Sequence, residues 1–327
     1  MNRFLTTSGR FGLLLMAIAL LAGSVAAQPG SGNIKLRRAV DTDGDGKADF
    51  SVFRPSNNTW YILKSGGGVT FQNFGIANED WMAPGDFDGD GKGDISVWRD
   101  TTGVWYRLNS SNNTFAAASF GITGDEPVGR DYDGDGKTDL AVVRRTNGQL
   151  VWYILRSVDG NLMGGTFGIA NDYAVPADYD GDGKTDLAVQ RLGATPAAQA
   201  LFYIYRSSDA GLTVTPWGIG TDLVVPGDYD GDGKADLAVV REGSTATSPL
   251  IWYILKSSDG NFIATGFGDT GTDLTTQNDY DGDGKTDIAV WRDSNGTFYF
   301  RRSIDGVMSG VTWGAPSDFP IAGYDSH

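Results

Sequence analysis

Apolar residues in this chain come in short runs, alternating with polar ones or continuous over four or five positions, and each run is bounded by Gly, Asn, Asp or Ser. Leu140 to Val143 and Trp152 to Leu155 are typical, being β-branched or aromatic and too short for a helix. That pattern predicts strands. Between successive copies of an Asp-rich loop the runs predict four strands. One enters the loop (Ala174 to Tyr179 in the fourth copy), one leaves it, one is built on an aromatic-Tyr pair, and one ends at an aromatic-Gly pair.

The unit recurs six times. The nine-residue pattern D-x-D-G-D-G-K-x-D begins at Asp41, Asp86, Asp131, Asp178, Asp228 and Asp279, at intervals of 45, 45, 47, 50 and 51. An Arg stands thirteen residues after each first Asp: Arg54, Arg99, Arg144, Arg191, Arg241 and Arg292. The pairs Trp60-Tyr61, Trp105-Tyr106, Trp152-Tyr153, Phe202-Tyr203, Trp252-Tyr253 and Phe298-Tyr299 keep the same step. So do Phe74-Gly75, Phe120-Gly121, Phe167-Gly168, Trp217-Gly218, Phe267-Gly268 and Trp313-Gly314. A lone four-stranded antiparallel sheet cannot bury both faces, but a ring of such sheets can. The expected fold is therefore all-β, a β-propeller of six four-stranded blades. A linear β-solenoid is the competing repeat architecture, although its repeats are shorter and lack the four-strand meander. The chain ends bear on closure. Lys35 to Val40 reads as an inner strand for the first loop, and Phe319 to Tyr324 reads as a second copy of that strand without an Asp loop. The expectation is closure by the C-terminal strand, which covers edges that would otherwise template aggregation; the alternative is seven blades with one degenerate. The propeller is then a single domain over 35–327, preceded by a short linker over 28–34.

Composition narrows the chemistry. The chain has 327 residues with no Cys and a single His, His327, so disulfides, thiolate nucleophiles, Cys-ligated zinc and Ser-His-Asp catalysis are all disfavoured. Its 38 Asp stand against three Glu, Glu79, Glu126 and Glu242. Helix-rich proteins use the reverse balance, since Glu is the better helix former. The 47 Gly, roughly twice the usual ~7%, point the same way, to turns and metal loops. A formal charge of −15 and a pI near 4.4 make nucleic acid and anionic membranes poor partners. Residues 1–27 stand apart, with Arg3 and Arg10 before an apolar run from Phe11 to Gly23, and Ala26-Ala27 before Gln28. They read as a signal peptide whose apolar run is too short to span a bilayer. Cleavage after Ala27 would release a soluble protein, with no membrane insertion, to the extracellular space or the periplasm. Losing two Arg leaves 24 basic against 41 acidic residues, a charge of −17.

The loops carry 24 of the 38 Asp, at positions one, three, five and nine. These are Asp41, Asp43, Asp45 and Asp49; Asp86, Asp88, Asp90 and Asp94; Asp131, Asp133, Asp135 and Asp139; Asp178, Asp180, Asp182 and Asp186; Asp228, Asp230, Asp232 and Asp236; and Asp279, Asp281, Asp283 and Asp287. A hard cation takes six to eight oxygens, which these carboxylates and a backbone carbonyl near position seven can supply, while Gly at positions four and six lets the chain wrap the ion. An EF-hand would need a bidentate Glu at position twelve, where this chain has Val52, Val97, Val142, Val189, Val239 and Val290, each leading into a strand. Four converging carboxylates repel unless a cation lies between them. About six Ca²⁺, one per loop, are expected, acting mainly as folding cofactors and moving the charge from −17 to −5.

The aromatic-Gly pairs, the Ala83-Pro84-Gly85-Asp86 approach and the D-x-D-G-D-G loops together resemble FG-GAP (VCBS-type) repeats, the blades of integrin α-subunit propellers, over residues from about 35 to 325. The resemblance implies calcium on one rim of the propeller and ligand recognition on the other. Related secreted propellers include fungal lectins, bacterial adhesins and non-catalytic parts of lyases and phospholipases, so the resemblance leaves the ligand open.

A residue required in every repeat usually serves the repeat. Each Arg is accordingly expected to pair with an Asp near the following aromatic-Gly turn (Asp80, Asp172, Asp222, Asp273 and Asp318) as an interblade strut rather than to form an anion-binding ring. The aromatic-Tyr pairs are expected to pack between blades rather than to serve as sugar platforms. Departures from the repeat are better ligand candidates. The spacing from Arg to aromatic-Tyr runs 6, 6, 8, 11, 11 and 6, and the longer turns, Arg145 to Leu150, Leu192 to Leu201 and Glu242 to Leu250, fall in consecutive blades on the rim away from the loops. They form either a binding crescent or tolerated hairpin insertions. The function expected is a non-catalytic recognition or adhesion module for a cell-surface glycan or protein, with no catalytic residue assigned and the oligomeric state open. The rivals are a polysaccharide-active lyase or glycosidase using the unpaired carboxylates Asp100, Asp125 and Glu126, and a purely structural surface protein.

Overall fold

The computed structural model describes residues 39–321, all within one compact unit. The leader over 1–27, the linker over 28–34, the start of the first expected strand at Lys35 and the chain beyond Ile321 lie outside the described residues. Six four-stranded antiparallel sheets form the blades of a β-propeller. Blade 1 holds β1 (Phe50–Arg54), β2 (Thr59–Leu63) and β3 (Val69–Asn73). Blade 2 is β4 (Asp80–Met82), β5 (Ile95–Arg99), β6 (Val104–Leu108) and β7 (Phe115–Ser119), and blade 3 is β8 (Asp125–Pro127), β9 (Leu140–Thr146), β10 (Gln149–Leu155) and β11 (Leu162–Ile169). Blade 4 is β12 (Tyr173–Ala174), β13 (Leu187–Arg191), β14 (Gln199–Tyr205) and β15 (Leu212–Ile219). Blade 5 is β16 (Leu223–Val224), β17 (Leu237–Arg241), β18 (Pro249–Leu255) and β19 (Phe262–Asp269). Blade 6 is β20 (Asp273–Thr275), β21 (Ile288–Arg292), β22 (Thr297–Arg301) and β23 (Met308–Thr312), and β24 (Phe319–Pro320) returns to β1.

The innermost strands are shorter than the sequence predicts. Where Ala174 to Tyr179 is expected, β12 covers Tyr173–Ala174, followed by a bond from the Val175 N–H to Ala188 and an isolated bridge between Ala177 and Asp186. Blade 6 is interrupted at the same place without a proline: β20 covers Asp273–Thr275 and the next bridge joins Asn278 to Asp287. The closure question resolves in favour of six blades. The inner row of blade 1 is composite: Ile321 donates its N–H to the Ser51 carbonyl, and the Asp49 N–H goes to Val40. The C-terminal segment thus supplies the first half of that row and the N-terminal segment the second, so neither is redundant and the described residues hold no seventh sheet.

Blades meet through buried apolar side chains. Trp60, Trp105, Trp152, Phe202, Trp252 and Phe298, the aromatics of the aromatic-Tyr pairs, are all at most 2% exposed. The Val at loop position twelve is buried in every blade and packs beneath the aromatic-Gly turn of the blade before it. There the glycine has φ between +75° and +110°, and a Cβ would lie 2.9–3.3 Å from a valine γ-carbon. Both backbone and space therefore demand glycine at this turn. The junction of blades 6 and 1 is packed like the rest, with Phe50 stacked on Tyr280 at 5.0 Å and the Trp313 indole N–H donating to the Tyr61 carbonyl.

Candidate metal centres

Each Asp loop lies between an innermost strand and the next strand outward, so all six lie on one rim. Within a loop the carboxylates accept from the backbone in one repeated scheme. The first Asp spans the amides of the two glycines: Asp41 accepts from Gly44 at 2.7 Å and from Gly46 at 2.9 Å. Position three accepts from the amide of position five, and position five from that of position seven, as in Asp43 from Asp45 and Asp45 from Lys47. The ninth Asp folds back onto the amide of position two, as Asp94 does on Phe87 at 2.9 Å. The consequence is convergence. Carboxylate oxygens of Asp41, Asp43 and Asp49 lie within 4.8 Å of one another, as do those of Asp131, Asp133 and Asp139, of Asp178, Asp180 and Asp186, and of Asp228, Asp230 and Asp236; in the second loop the trio is Asp86, Asp88 and Asp90.

Such spacing is what oxygens on opposite sides of a cation take when each binds at about 2.3–2.6 Å. The donor set is all oxygen, which suits a hard ion. Electrostatics fit as well. Burial, aided by neighbouring carboxylates, pushes Asp94, Asp139 and Asp236 up to about 6 and Asp186 and Asp287 up to about 7, and it raises Asp41 and Asp49 too. Asp178 at position one is likewise pushed up to about 6 by burial. A divalent ion at the centre would reverse that cost.

One contributor escapes a reading of the loops alone. In every blade a Ser beyond the aromatic-Tyr strand caps the site: Ser65 gives its N–H to Asp49 at 2.8 Å and its hydroxyl to Asp45 at 2.8 Å. Ser110, Ser157, Ser207, Ser257 and Ser303 give their N–H groups to Asp94, Asp139, Asp186, Asp236 and Asp287 in the same way. The signal was present in the sequence, since each of these Ser stands four residues after the Tyr of its pair.

The six Arg do pair with Asp, but not as the interblade struts expected: each pair bridges the innermost strand and the next strand of one blade. Each pairs with the Asp that follows the preceding unit's aromatic-Gly turn, nineteen residues earlier in blades 2 to 6, as in Arg99–Asp80 and Arg241–Asp222, both with a 2.7 Å contact. Arg54 closes the circle by pairing with Asp318. The innermost strand starts at that Asp or at the residue after it and lies directly against the strand bearing the Arg, whereas the following turn belongs to the far edge of the blade. Each guanidinium also lies over the Tyr of its blade, 4.1–5.1 Å from the ring centroid. Two of the carboxylates taken as unpaired prove to be paired. Asp125 pairs with Arg144, which it faces across β8 and β9, and Glu126, opposite Val143, is held by Arg145. Asp100 accepts from the Gly124 amide at 2.7 Å.

A six-bladed propeller with one acidic loop and one aromatic-Gly turn per blade defines the class. The FG-GAP-like repeat model matches residues 41–97 and 131–189, and the chain is an FG-GAP/VCBS-type repeat protein. No curated protein matches the sequence. Among solved structures, a triple arginine-to-alanine mutant of AofleA from Arthrobotrys oligospora is similar, with 12% identity over 89% of this chain and 90% of that one and a TM-score of 0.52, a likeness of fold. TolB from Acinetobacter baumannii has 15% identity over 84% of this chain and a TM-score of 0.49; the match spans under two thirds, 63%, of TolB. A catalytically inactive virginiamycin B lyase from Staphylococcus aureus has 9% identity over 78% of each chain and a TM-score of 0.46. Among the described residues no helix is long and apolar enough to cross a membrane, which says nothing of β-barrels.

Proposed function

We propose that this protein is a secreted or periplasmic calcium-binding propeller that acts as a non-catalytic recognition module for a glycan or protein ligand. The observation that carries the reading is the division of labour between its rims. One rim holds six acidic loops of a single construction, each with oxygen ligands converging at calcium spacing. The opposite rim, where the innermost strands begin, leaves Trp81, Tyr173, Leu274 and Phe319 between 37% and 57% exposed. Exposed aromatic residues gathered at a propeller mouth are the usual means of holding a sugar face or an apolar side chain. Two of the three acids weighed for an enzymatic role, Asp125 and Glu126, are engaged in ion pairs, which supports the non-catalytic reading. Calcium supplies cohesion to the carboxylate rim, and the chain's own residues build the recognition surface.

The test is glycan-array binding of the purified protein in millimolar calcium, with Trp81→Ala and Tyr173→Ala in parallel. A calcium-dependent signal lost in either variant, with melting unchanged, supports a glycan ligand. A silent array moves the reading to a protein ligand, and cleavage of an arrayed polysaccharide overturns it.

A further inference from the structure

The six loops are joined into one closed circuit. The amide at position eight of each loop donates to the carbonyl of position one in the loop of the preceding blade, as Thr138 does to Asp86 at 2.6 Å, and the bond recurs at all six junctions at 2.6–2.8 Å. The Ala48 amide on the Asp279 carbonyl, at 2.7 Å, joins the last blade to the first and closes the ring. A second contact follows the same path. The stem of the Lys at position seven lies over the Gly at position four of the preceding loop, so near that a Cβ on that glycine would come within 2.7–3.1 Å of it, as for Lys137 over Gly89.

Peptide geometry makes the first of these contacts a wire. The N–H of position eight and the carbonyl of position seven belong to one planar peptide group. The carbonyl is the backbone oxygen expected to bind the ion, and the N–H holds the first Asp of the neighbouring loop. Fixing the carbonyl on a cation therefore fixes the donor, which in turn orients the peptide group that carries the neighbour's first ligand. We propose that the loops fill as a coupled ring, each bound calcium raising the affinity of both adjacent loops, with the position-eight amide as the positioning group. This rests on the calcium reading given above. Coupling is reciprocal by thermodynamic necessity, and a preorganised loop binds more tightly because less ordering remains to be done.

The experiment is a calcium chloride titration followed by calorimetry on the intact protein, then on Asp180→Asn/Asp182→Asn, which disables the fourth loop, and on Thr185→Pro, which removes one junction donor while leaving every carboxylate in place. The wild type is expected to fill with a Hill coefficient above 1, and either variant is expected to weaken sites in the adjoining loops by about 5-fold or more, the usual lower range of site-to-site coupling. A Hill coefficient of 1 or below in the wild type overturns the coupling even if neither variant folds. Remaining sites of unchanged affinity in a folded Asp180→Asn/Asp182→Asn variant overturn it as well. Absence of any binding by the wild type overturns the calcium reading itself, a separate and recognisable failure.

Discussion

The two rims of this propeller were built under different constraints. On the loop rim every blade spends nine residues in the same way, with the same glycines, the same carboxylate-to-amide bonds and the same Ser cap. On the opposite rim blades 1, 2 and 6 turn tightly, while blades 3, 4 and 5 carry seven-residue strands β10, β14 and β18. The outer strand lengthens to match. β11, β15 and β19 run eight residues through the aromatic-Gly pair, with a register shift near the turn, whereas β3, β7 and β23 have five residues and stop before it. A rim whose parts brace one another across every junction cannot vary in one blade alone. A rim whose turns pack mainly within their own blade is free to diverge, and ligand recognition needs that freedom.

Calcium removal should break the comparison most severely, since it attacks all the identical parts at once. With a Kd of about 10 µM in about 1 mM calcium, each independent site would stabilise the fold by roughly 2.7 kcal/mol. Chelation by EGTA is therefore expected to lower the melting temperature by at least about 10 °C, as followed by circular dichroism. A melt indifferent to EGTA would strip the loop rim of its structural role. Next in size is a single Arg–Asp pair. Arg241→Ala would leave the fully buried Asp222 carboxylate without its partner, and a loss of about 3 kcal/mol is expected in urea denaturation; a loss below about 1 kcal/mol would place Arg241 among ordinary surface ion pairs.

The pH response sharpens the contrast further. Burial raises the ninth carboxylates above the ordinary 3.8, Asp94, Asp139 and Asp236 to about 6 and Asp186 and Asp287 to about 7. A carboxyl whose pKa is higher folded than unfolded adds stability that is complete below the unfolded value and is lost as pH rises through the folded one. Metal-free protein is thus expected to have a higher urea midpoint at pH 5 than at pH 8, and calcium-loaded protein the reverse order, because ligation requires the ionised form. The same order in both would count against carboxylate ligation. The smallest effect is expected on the variable rim. Shortening the turn over residues 192–198 to the length found in blade 2 should change stability by less than about 0.5 kcal/mol in thermal melts. A larger loss would mean that this turn also braces its neighbours.

Much of this was legible in the residues because repetition multiplies weak signals. One Asp loop is an acidic turn, but six in step with Arg, aromatic-Tyr and aromatic-Gly landmarks fix a blade. The all-β class, the six blades, the C-terminal closure and the packing role of the aromatic pairs follow from that periodicity. Direction within the repeat was harder to read. The partner of Arg54 is Asp318, on the far side of the chain, and Asp125 and Glu126 looked free because their partners Arg144 and Arg145 depend on strand pairing. The Ser caps had a constant spacing but no chemistry of their own that marks a metal site. The inner strands are shorter than their apolar content suggests, in blade 6 without a proline as in blade 4 with Pro176.

The most direct test of the loop rim is to count ions. Native mass spectrometry of the purified protein in calcium, against the same sample after EGTA, should show about six calcium ions per chain, all removed by the chelator, with sets of fewer ions poorly populated at intermediate calcium. A chain that stays free of calcium at millimolar concentration, or that binds it without any gain in melting temperature, would contradict the claim that these loops are metal centres holding the propeller together.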